Sequence, residues 1–384
     1  MKSSHDWLKK LVSFDTTSRN SNLPLIDYVD EWFLVHHSVT HRIYDTTGNK
    51  ANLFATLPAH DGSVNGGIIL SGHTDVVPVD GQTWETDPFA ATKVGGRIYG
   101  RGTCDMKGFL AVALTLLPKL QHLKLPHPVH FALSYDEEVG CIGASSMIAE
   151  LKKMGINPSA CVVGEPTEMR PVTAHKGINL FRCRLHGRAA HSSLTIQGCN
   201  AIEHAAKLMS WIRELGKQLQ QGAKDTFYDV PFSSITTNLI SGGNAINTIP
   251  SMCEFFFEFR NLPTINPREI TQKIQNYIQH ELLPGMRQEY HEAKVELTSL
   301  AAVPGLEASE DAEVTKATRA LTKEKDIFKV AYATEAGLFQ QSGIPTIVCG
   351  PGSIEQAHRA NEYITIEQLD QCEKFLFDLV KQTF

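Results

Sequence analysis

The side chains best suited to chemistry in this sequence follow the ends of short apolar runs. His73 and Asp75 come after Gly67-Ile-Ile-Leu70, the trio Asp136, Glu137 and Glu138 after Val129-His-Phe-Ala-Leu133, and Glu165 after Ala160-Cys-Val-Val163. Asp105 lies in the loop Gly100-Arg-Gly-Thr-Cys-Asp105-Met-Lys-Gly108, and His358 in the loop after Val348-Cys-Gly-Pro-Gly352; both can reach the same place. Two imidazoles and at least three carboxylates suit two divalent transition metals, with zinc the natural choice for mixed nitrogen and oxygen donors. Such a pair of ions supports activation of a water and polarisation of a carbonyl.

Taken singly, each candidate has an ordinary structural reading. His73-Thr-Asp75 reads equally well as a turn cap, or as a ligand with the partner that orients it. Glu137-Glu138 alone would be an exposed acidic turn. Glu165-Pro-Thr167 would cap a turn, and a lone His358 would be a surface histidine. Their joint placement at strand ends argues against these readings, because open α/β sheets bind ligands outside the carboxyl ends of their strands.

The elements that must position these residues are apolar strands alternating with helical patterns at Lys107 to Leu123 and Ala144 to Met154. This pattern predicts an α/β fold, a mostly parallel sheet with helices on both faces. Near residue 178 the pattern changes. Strands at Ile178 to Leu185, Ser234 to Ile240, Met252 to Arg260 and Lys294 to Leu297 enclose helices at Asn200 to Leu219 and from Asn266-Pro267 to about Leu283. The order βαββαβ matches a ferredoxin-like α+β motif. Residues 178–299 are therefore expected to form an inserted domain, and residues 1–177 with 300–384 the domain that carries the chemistry.

Other functions find little support. Gly100-Arg-Gly102 lacks the third glycine of a dinucleotide fingerprint, and Lys107 precedes Gly108 rather than Ser or Thr, so a phosphate loop fails too. No serine sits in a G-x-S-x-G elbow. Against 36 Lys and Arg stand 42 Asp and Glu, a formal net charge of -6. That leaves no basic stripe for nucleic acid and no polybasic membrane anchor, so small solutes are the expected partners. Eight cysteines without a C-x-x-C pair fit a reducing cytoplasm. The amphipathic start, with Asp6 among Trp7, Leu8, Leu11 and Val12, lacks a signal-peptide core, and Phe109 to Leu117 is too short to span a bilayer. Neither export nor a membrane span is expected.

Ser71-Gly-His-Thr-Asp-Val-Val-Pro78, Gly102-Thr-Cys-Asp-Met-Lys-Gly108, Asp136-Glu-Glu138, Gly164-Glu-Pro-Thr167 and the late His358, taken together and in this order, resemble the co-catalytic zinc deacylases and peptidases. The resemblance runs from about residue 7 to the C-terminus. It implies a di-zinc exopeptidase-like domain with two Zn2+, for which Co2+ is a possible substitute. Asp105 would bridge the ions, His73 and Glu165 would bind one, and Glu138 and His358 the other. Asp75 would orient His73. Glu137 would be the general acid/base, taking a proton from the attacking water and returning it to the leaving amine. The inserted domain resembles the family's lid and dimerisation domain. There His191, Asn247 and Arg260 match substrate contacts, and the histidine serves the partner subunit's site as an oxyanion donor, which implies a homodimer. A forked guanidinium suits a substrate carboxylate.

His175-Lys-Gly177, Thr334-Glu-Ala336 and Gly350-Pro-Gly-Ser-Ile-Glu-Gln-Ala-His358 resemble the branch of the family that hydrolyses N2-acetyl-L-ornithine. Desuccinylases show a Ser/Thr-Gly-Gly-Thr-Ser-Asp run where Thr334-Glu335 stands. Cys104, where a small residue is usual, and Ala190, where Gly is common, depart from that branch without removing a ligand. Glu335 is expected to meet the substrate ammonium or to hydrogen-bond a metal ligand. Rival expectations are a succinyl-diaminopimelate desuccinylase, a broader N-acyl-amino-acid deacylase or a metallo-peptidase on the same metals, and outside the enzymes a scaffold that kept the fold. Loss of Glu137 or of a ligand would favour the scaffold, and none is missing.

Overall fold

A computed structural model describes residues 2–382. The chain forms two compact units: Met1–Ala174 with Leu306–Lys329 and Thr334–Phe384, and His175–Gly305 with Val330–Ala333.

The larger unit is built on a sheet whose strands run, edge to edge, Val39–Tyr44, Ala51–Leu57, Val129–Ser134, Ile68–His73, Ala160–Pro166, Thr346–Gly350, Val172–His175 and Leu306–Glu307. The four strands Val129–Ser134, Ile68–His73, Ala160–Pro166 and Thr346–Gly350 are mutually parallel. Their neighbours on both sides, Ala51–Leu57 and Val172–His175, are antiparallel to them. Every residue of the four parallel strands is buried, the near-continuous apolar pattern of a sheet covered on both faces. The helix Lys107–Gln121 is apolar almost all round and buried through its first eleven residues, as a helix enclosed by other elements must be. One partner is the helix Ser4–Val12, whose Ser3 and Asp6 form a reciprocal capping box and whose Trp7, Leu8, Leu11 and Val12 face inward. Gly164 is where this helix approaches the sheet: a Cβ there would lie 2.0 Å from the ring of Phe109.

The smaller unit has the strand order Ser234–Gly242, Met252–Asn261, Gly177–His186, Lys294–Val303, all antiparallel. Burial alternates residue by residue along the two central strands. Phe181, Cys183, Leu185, Phe255, Phe257 and Phe259 thereby line one face and pack on Leu208, Ile212 and Leu215 of the helix Ala201–Gln221 and on Ile270 and Ile274 of the helix Pro267–Tyr277. Two elements run longer than the periodicity predicts. The helix Pro267–Tyr277 continues through a single π turn, Ile278–Leu282, into Leu283–Glu289, because Pro284 has no N–H to bond the preceding turn. The strand expected to end at Leu297 reaches Val303, with a bulge between Ser299 and Ala301; the added stretch Thr298-Ser-Leu-Ala-Ala-Val303 has no apolar-polar alternation, which hides it from a pattern search.

Candidate active site

His73 closes the strand Ile68–His73 and is fully buried. Its Nδ1 lies 2.9 Å from the main-chain oxygen of Asp75, which turns Nε2 toward Asp105 Oδ1 at 3.0 Å and Glu165 Oε1 at 3.9 Å. Asp105, just ahead of the helix Lys107–Gln121, presents its other oxygen, Oδ2, to His358 Nε2 at 3.4 Å. His358 Nε2 also lies 3.0 Å from Glu138 Oε2. One carboxylate thus stands between two imidazoles, each with a glutamate at its far side.

The turn that aims Glu137 and Glu138 is pinned at its start. Asp136 has a left-handed φ of 53°, a conformation that costs a residue with a Cβ, and Lys50 Nζ holds its carboxylate at 2.7 Å. The Asp75 carboxylate then accepts from the backbone N–H groups of Glu137 and Glu138, at 3.1 and 3.3 Å, and from the Ser18 hydroxyl at 2.7 Å. Donor atoms of His73, Asp105 and Glu138 lie within 4.8 Å of one another, as do those of His73, Glu137 and Glu165. His73, Asp105, Glu137, Glu138, Glu165, His358 and Asp75 are therefore all brought to one place.

The electrostatics of this cluster record a shortage of positive charge. Burial, with Asp105 and Glu137 nearby, pushes the Glu165 carboxyl well above the ordinary range, and its buried Oε1 has no hydrogen-bond partner among the described residues. Burial likewise raises Glu137 to about 8 and Glu138 to about 7, the neighbouring carboxylates adding to the shift. Asp105 is the exception. Burial opposes its charge, but hydrogen bonds from His358 and His73 outweigh that and hold it low. Hydrogen bonds to Asp105 and Glu138 raise His358 to about 10. Packed carboxylates are stable only with compensating cations, and the orphaned oxygen and mixed imidazole and carboxylate donors fit divalent metal ions.

Sequence reasoning missed Glu362. Fully buried, its carboxylate accepts from Arg101 Nη1 at 2.7 Å and from the backbone N–H groups of Gly102, Cys104 and Asp105 at 3.1, 2.9 and 3.1 Å. It shapes the loop that delivers Asp105. The only signal was Arg101, a cation in a glycine-rich loop in need of an anion. Cys104, in that loop, is buried and donates to the carbonyl of Ser353 at 3.2 Å.

Glu335, expected at the substrate ammonium or on a metal ligand, has hydroxyl partners here. Its carboxylate is fully buried and accepts from the hydroxyls of Ser71 at 2.6 Å and Ser134 at 2.7 Å, the two strands that carry His73 and Glu137 into the site.

Three further candidates belong to the smaller unit. His191 is exposed, with Nδ1 2.8 Å from the Ser193 hydroxyl, and the carbonyl of exposed Asn247 accepts from the Ser192 N–H at 2.9 Å. The short ribbon of Ala190–His191 on Thr248–Ile249 keeps these two together. Arg260, near the end of the strand Met252–Asn261, donates from Nε to Glu258 at 3.0 Å and from Nη1 to the carbonyl of Ala331 at 3.3 Å.

The family model of Peptidase family M20/M25/M40 matches residues 69–382. The chain belongs to this family. M20 proteins are metal-dependent hydrolases, and the ligand-type clusters of this chain lie within the matched span. Among similar proteins, acetylornithine deacetylase of Pasteurella multocida (strain Pm70) is 34% identical over 374 residues, covering 97% of this chain and 94% of that protein. Acetylornithine deacetylase of Proteus mirabilis (strain HI4320) is 32% identical over 369 residues, with 96% and 92% covered. Among solved structures, an M20 family metallo-carboxypeptidase of Sulfolobus solfataricus superposes with a TM-score of 0.76 at 18% identity, covering 99% of each chain. A dinuclear metal binding peptidase of the M20 family from Bacillus subtilis does so with 0.64 at 15%, covering 98% of each. These two likenesses concern the fold. Among the described residues no helix is long and apolar enough to cross a membrane.

Proposed function

We propose that this M20 protein hydrolyses N2-acetyl-L-ornithine to L-ornithine and acetate, a step of arginine biosynthesis. The observation that carries the hydrolytic reading is the Asp105 carboxylate between His73 and His358, with Glu137 beside it. The substrate rests on relatives about a third identical over nearly the whole chain. His73 and Glu165 would hold one ion, Glu138 and His358 the other, and Asp105 both. Zinc suits these donors, with cobalt as a substitute. Bound there, the ions would polarise the acyl carbonyl and acidify a water. Glu137 has its backbone N–H fixed by Asp75 and a carboxylate clustered with His73 and Glu165, so it is placed both to take a proton from that water and to release one to the leaving amine. Asp75 fixes Glu137 and Glu138 by their main chain.

In the smaller unit, His191 serves the partner subunit's site as an oxyanion donor, Asn247 is a substrate contact, and Arg260 takes the substrate α-carboxylate in a bidentate pair. The working form is a homodimer joined at the open edge of the strand Ser234–Gly242, where Leu239 and Ile240 are exposed. All eight cysteines are buried and unpaired, in keeping with a cytoplasmic protein.

The test is ornithine release from N-acetylornithine by the purified protein, before chelation, after it, and with zinc restored. Release that follows the metal supports metal centre and substrate together. Chelator-sensitive turnover only of acetylmethionine, succinyl-diaminopimelate or a dipeptide keeps the chemistry and rejects the substrate. No turnover of any of them by metal-loaded protein rejects hydrolysis.

A further inference from the structure

A second group of metal-ligating side chains lies in the smaller unit. Cys199 directly precedes Asn200, whose side chain caps the helix Ala201–Gln221 by accepting from the N–H groups of Ile202 and Glu203. In such a cap the residue before the cap meets the fourth residue of the helix, a pair that is ordinarily two apolar side chains. Here the fourth residue is His204. The apolar staple is replaced by a thiol and an imidazole, fully buried and 3% exposed respectively.

A third donor arrives from another element. Glu289 ends the helix Leu283–Glu289 and reaches His204 Nε2 at 3.0 Å, with its own side chain 45% exposed. Donor atoms of Cys199, His204 and Glu289 all lie within 4.8 Å of one another. Tetrahedral zinc, with bonds of about 2.3 Å to sulphur and about 2.0 Å to nitrogen and oxygen, spaces its ligand atoms about 3 to 4 Å apart. Small side-chain rotations would close the set.

The surroundings leave the group short of partners. Among the described residues, buried His204 Nδ1 has no hydrogen-bond partner, while the thiol has a long contact of 3.7 Å to the carbonyl of Met286 and the Glu289 carboxylate nearby. Cys199 is held rigidly, since its N–H and C=O pair with those of Arg188 at 2.9 and 3.0 Å. The exposed face of Glu289 is the way in for an ion, and a water would complete the coordination.

We propose that Cys199, His204 and Glu289 form a metal-binding site of their own in the smaller unit, taking zinc or a similar thiophilic divalent cation. The ion displaces the thiol proton, so one proton is released for each ion bound. Its role is structural: it ties the start of the helix Ala201–Gln221 to the end of the helix Leu283–Glu289.

Sulphur separates this site from the candidate active site, whose proposed ligands are nitrogen and oxygen only. Metal-stripped full-length protein is titrated with Co2+ while the near-ultraviolet absorbance and the bound cobalt are followed. The expected result is a thiolate-to-cobalt charge-transfer band that saturates at one equivalent per chain. Cys199→Ser should lose the band and one equivalent of cobalt. Glu289→Gln, which changes a partly exposed side chain, should weaken cobalt binding in the same band if the serine variant does not fold. No such band in the unsubstituted protein overturns the proposal, as does a band that survives Cys199→Ser and disappears in Cys104→Ser. The readout is independent of hydrolysis, so failure of the proposed activity and failure of this site are told apart.

Discussion

Asp75 holds Glu137 by its main chain: Oδ1 accepts the Glu137 N–H at 3.1 Å, while Oδ2 accepts that of Glu138 at 3.3 Å. The orientation of His73 falls mainly to the Asp75 backbone oxygen, 2.9 Å from Nδ1, against 3.5 Å for the carboxylate. One side chain therefore sets two adjacent glutamates given different tasks. In Asp75→Asn, the amide group can accept only through its oxygen, so one of the two N–H groups loses its acceptor. The expected loss is about 10- to 100-fold in kcat/KM or metal affinity, typical of residues that orient ligands. Steady-state kinetics with metal analysis would check this; unchanged kinetics and metal content would show that the turn holds without Asp75.

Glu362 and Arg101 form an ion pair with both side chains at 1% exposure or less. Removing one partner of such a pair costs about 3–5 kcal/mol, whereas replacing both with apolar groups is close to neutral. Glu362→Met should therefore be strongly destabilised, and Arg101→Met/Glu362→Met should recover much of that loss. Metal affinity should not recover, because the N–H groups of Gly102, Cys104 and Asp105 still lack an acceptor. Denaturant unfolding and a metal titration of both variants separate the two effects.

The Glu335 carboxylate accepts from the hydroxyls of Ser71 and Ser134. Glu335→Gln should leave the preference for acetylornithine over acetylmethionine unchanged, since a fully buried side chain does not meet the substrate ammonium. Glu335→Ala should cost about 1–3 kcal/mol for each hydroxyl left without its acceptor. A shift in substrate preference with the glutamine variant would restore Glu335 as a specificity residue.

Acid should destabilise the fold through His130. Its Nε2–H donates to the carbonyl of Gly66 and its Nδ1 accepts from Thr56, both at 2.9 Å, so the neutral ring is satisfied. Burial lowers its pKa to about 4. Between about 6.5, the unfolded value, and about 4 the unfolded chain binds a proton that the folded chain refuses. Stability therefore falls as pH drops through that window, by about 3 kcal/mol, and levels off below it. His175, also buried and lowered to about 4, adds to the same loss. Unfolding free energies at pH 7 and 4.5 should differ less in His130→Gln than in the unsubstituted protein; an equal difference would remove His130 from the account.

Much of this was legible in the residues because chemistry and position coincide. Acid and imidazole side chains directly after all-apolar runs mark strand ends, and that signal located His73, Glu137, Glu138 and Glu165. Glu362 was illegible for the opposite reason: it precedes a three-residue strand, Tyr363–Thr365, and its partners are backbone N–H groups 257 to 260 positions away. Ser71 and Ser134 likewise look like ordinary strand polar residues until the sheet register brings them to one carboxylate. The pattern gives a mostly parallel sheet without saying which strands run antiparallel, since apolar runs do not encode strand direction.

The place of the strand Thr346–Gly350 in the large sheet has a consequence for biosynthesis. It lies between Ala160–Pro166 and Val172–His175, although in sequence it begins 180 positions after Pro166 and 171 after His175. A ribosome delivers the whole of the smaller unit before this strand exists. Until it emerges, the nascent larger unit carries an open slot beside Ala160-Cys-Val-Val163, an apolar edge of the kind that recruits stray strands. Truncation or slow translation near the C-terminus should therefore surface first as aggregation and chaperone dependence, before any defect in chemistry can be scored.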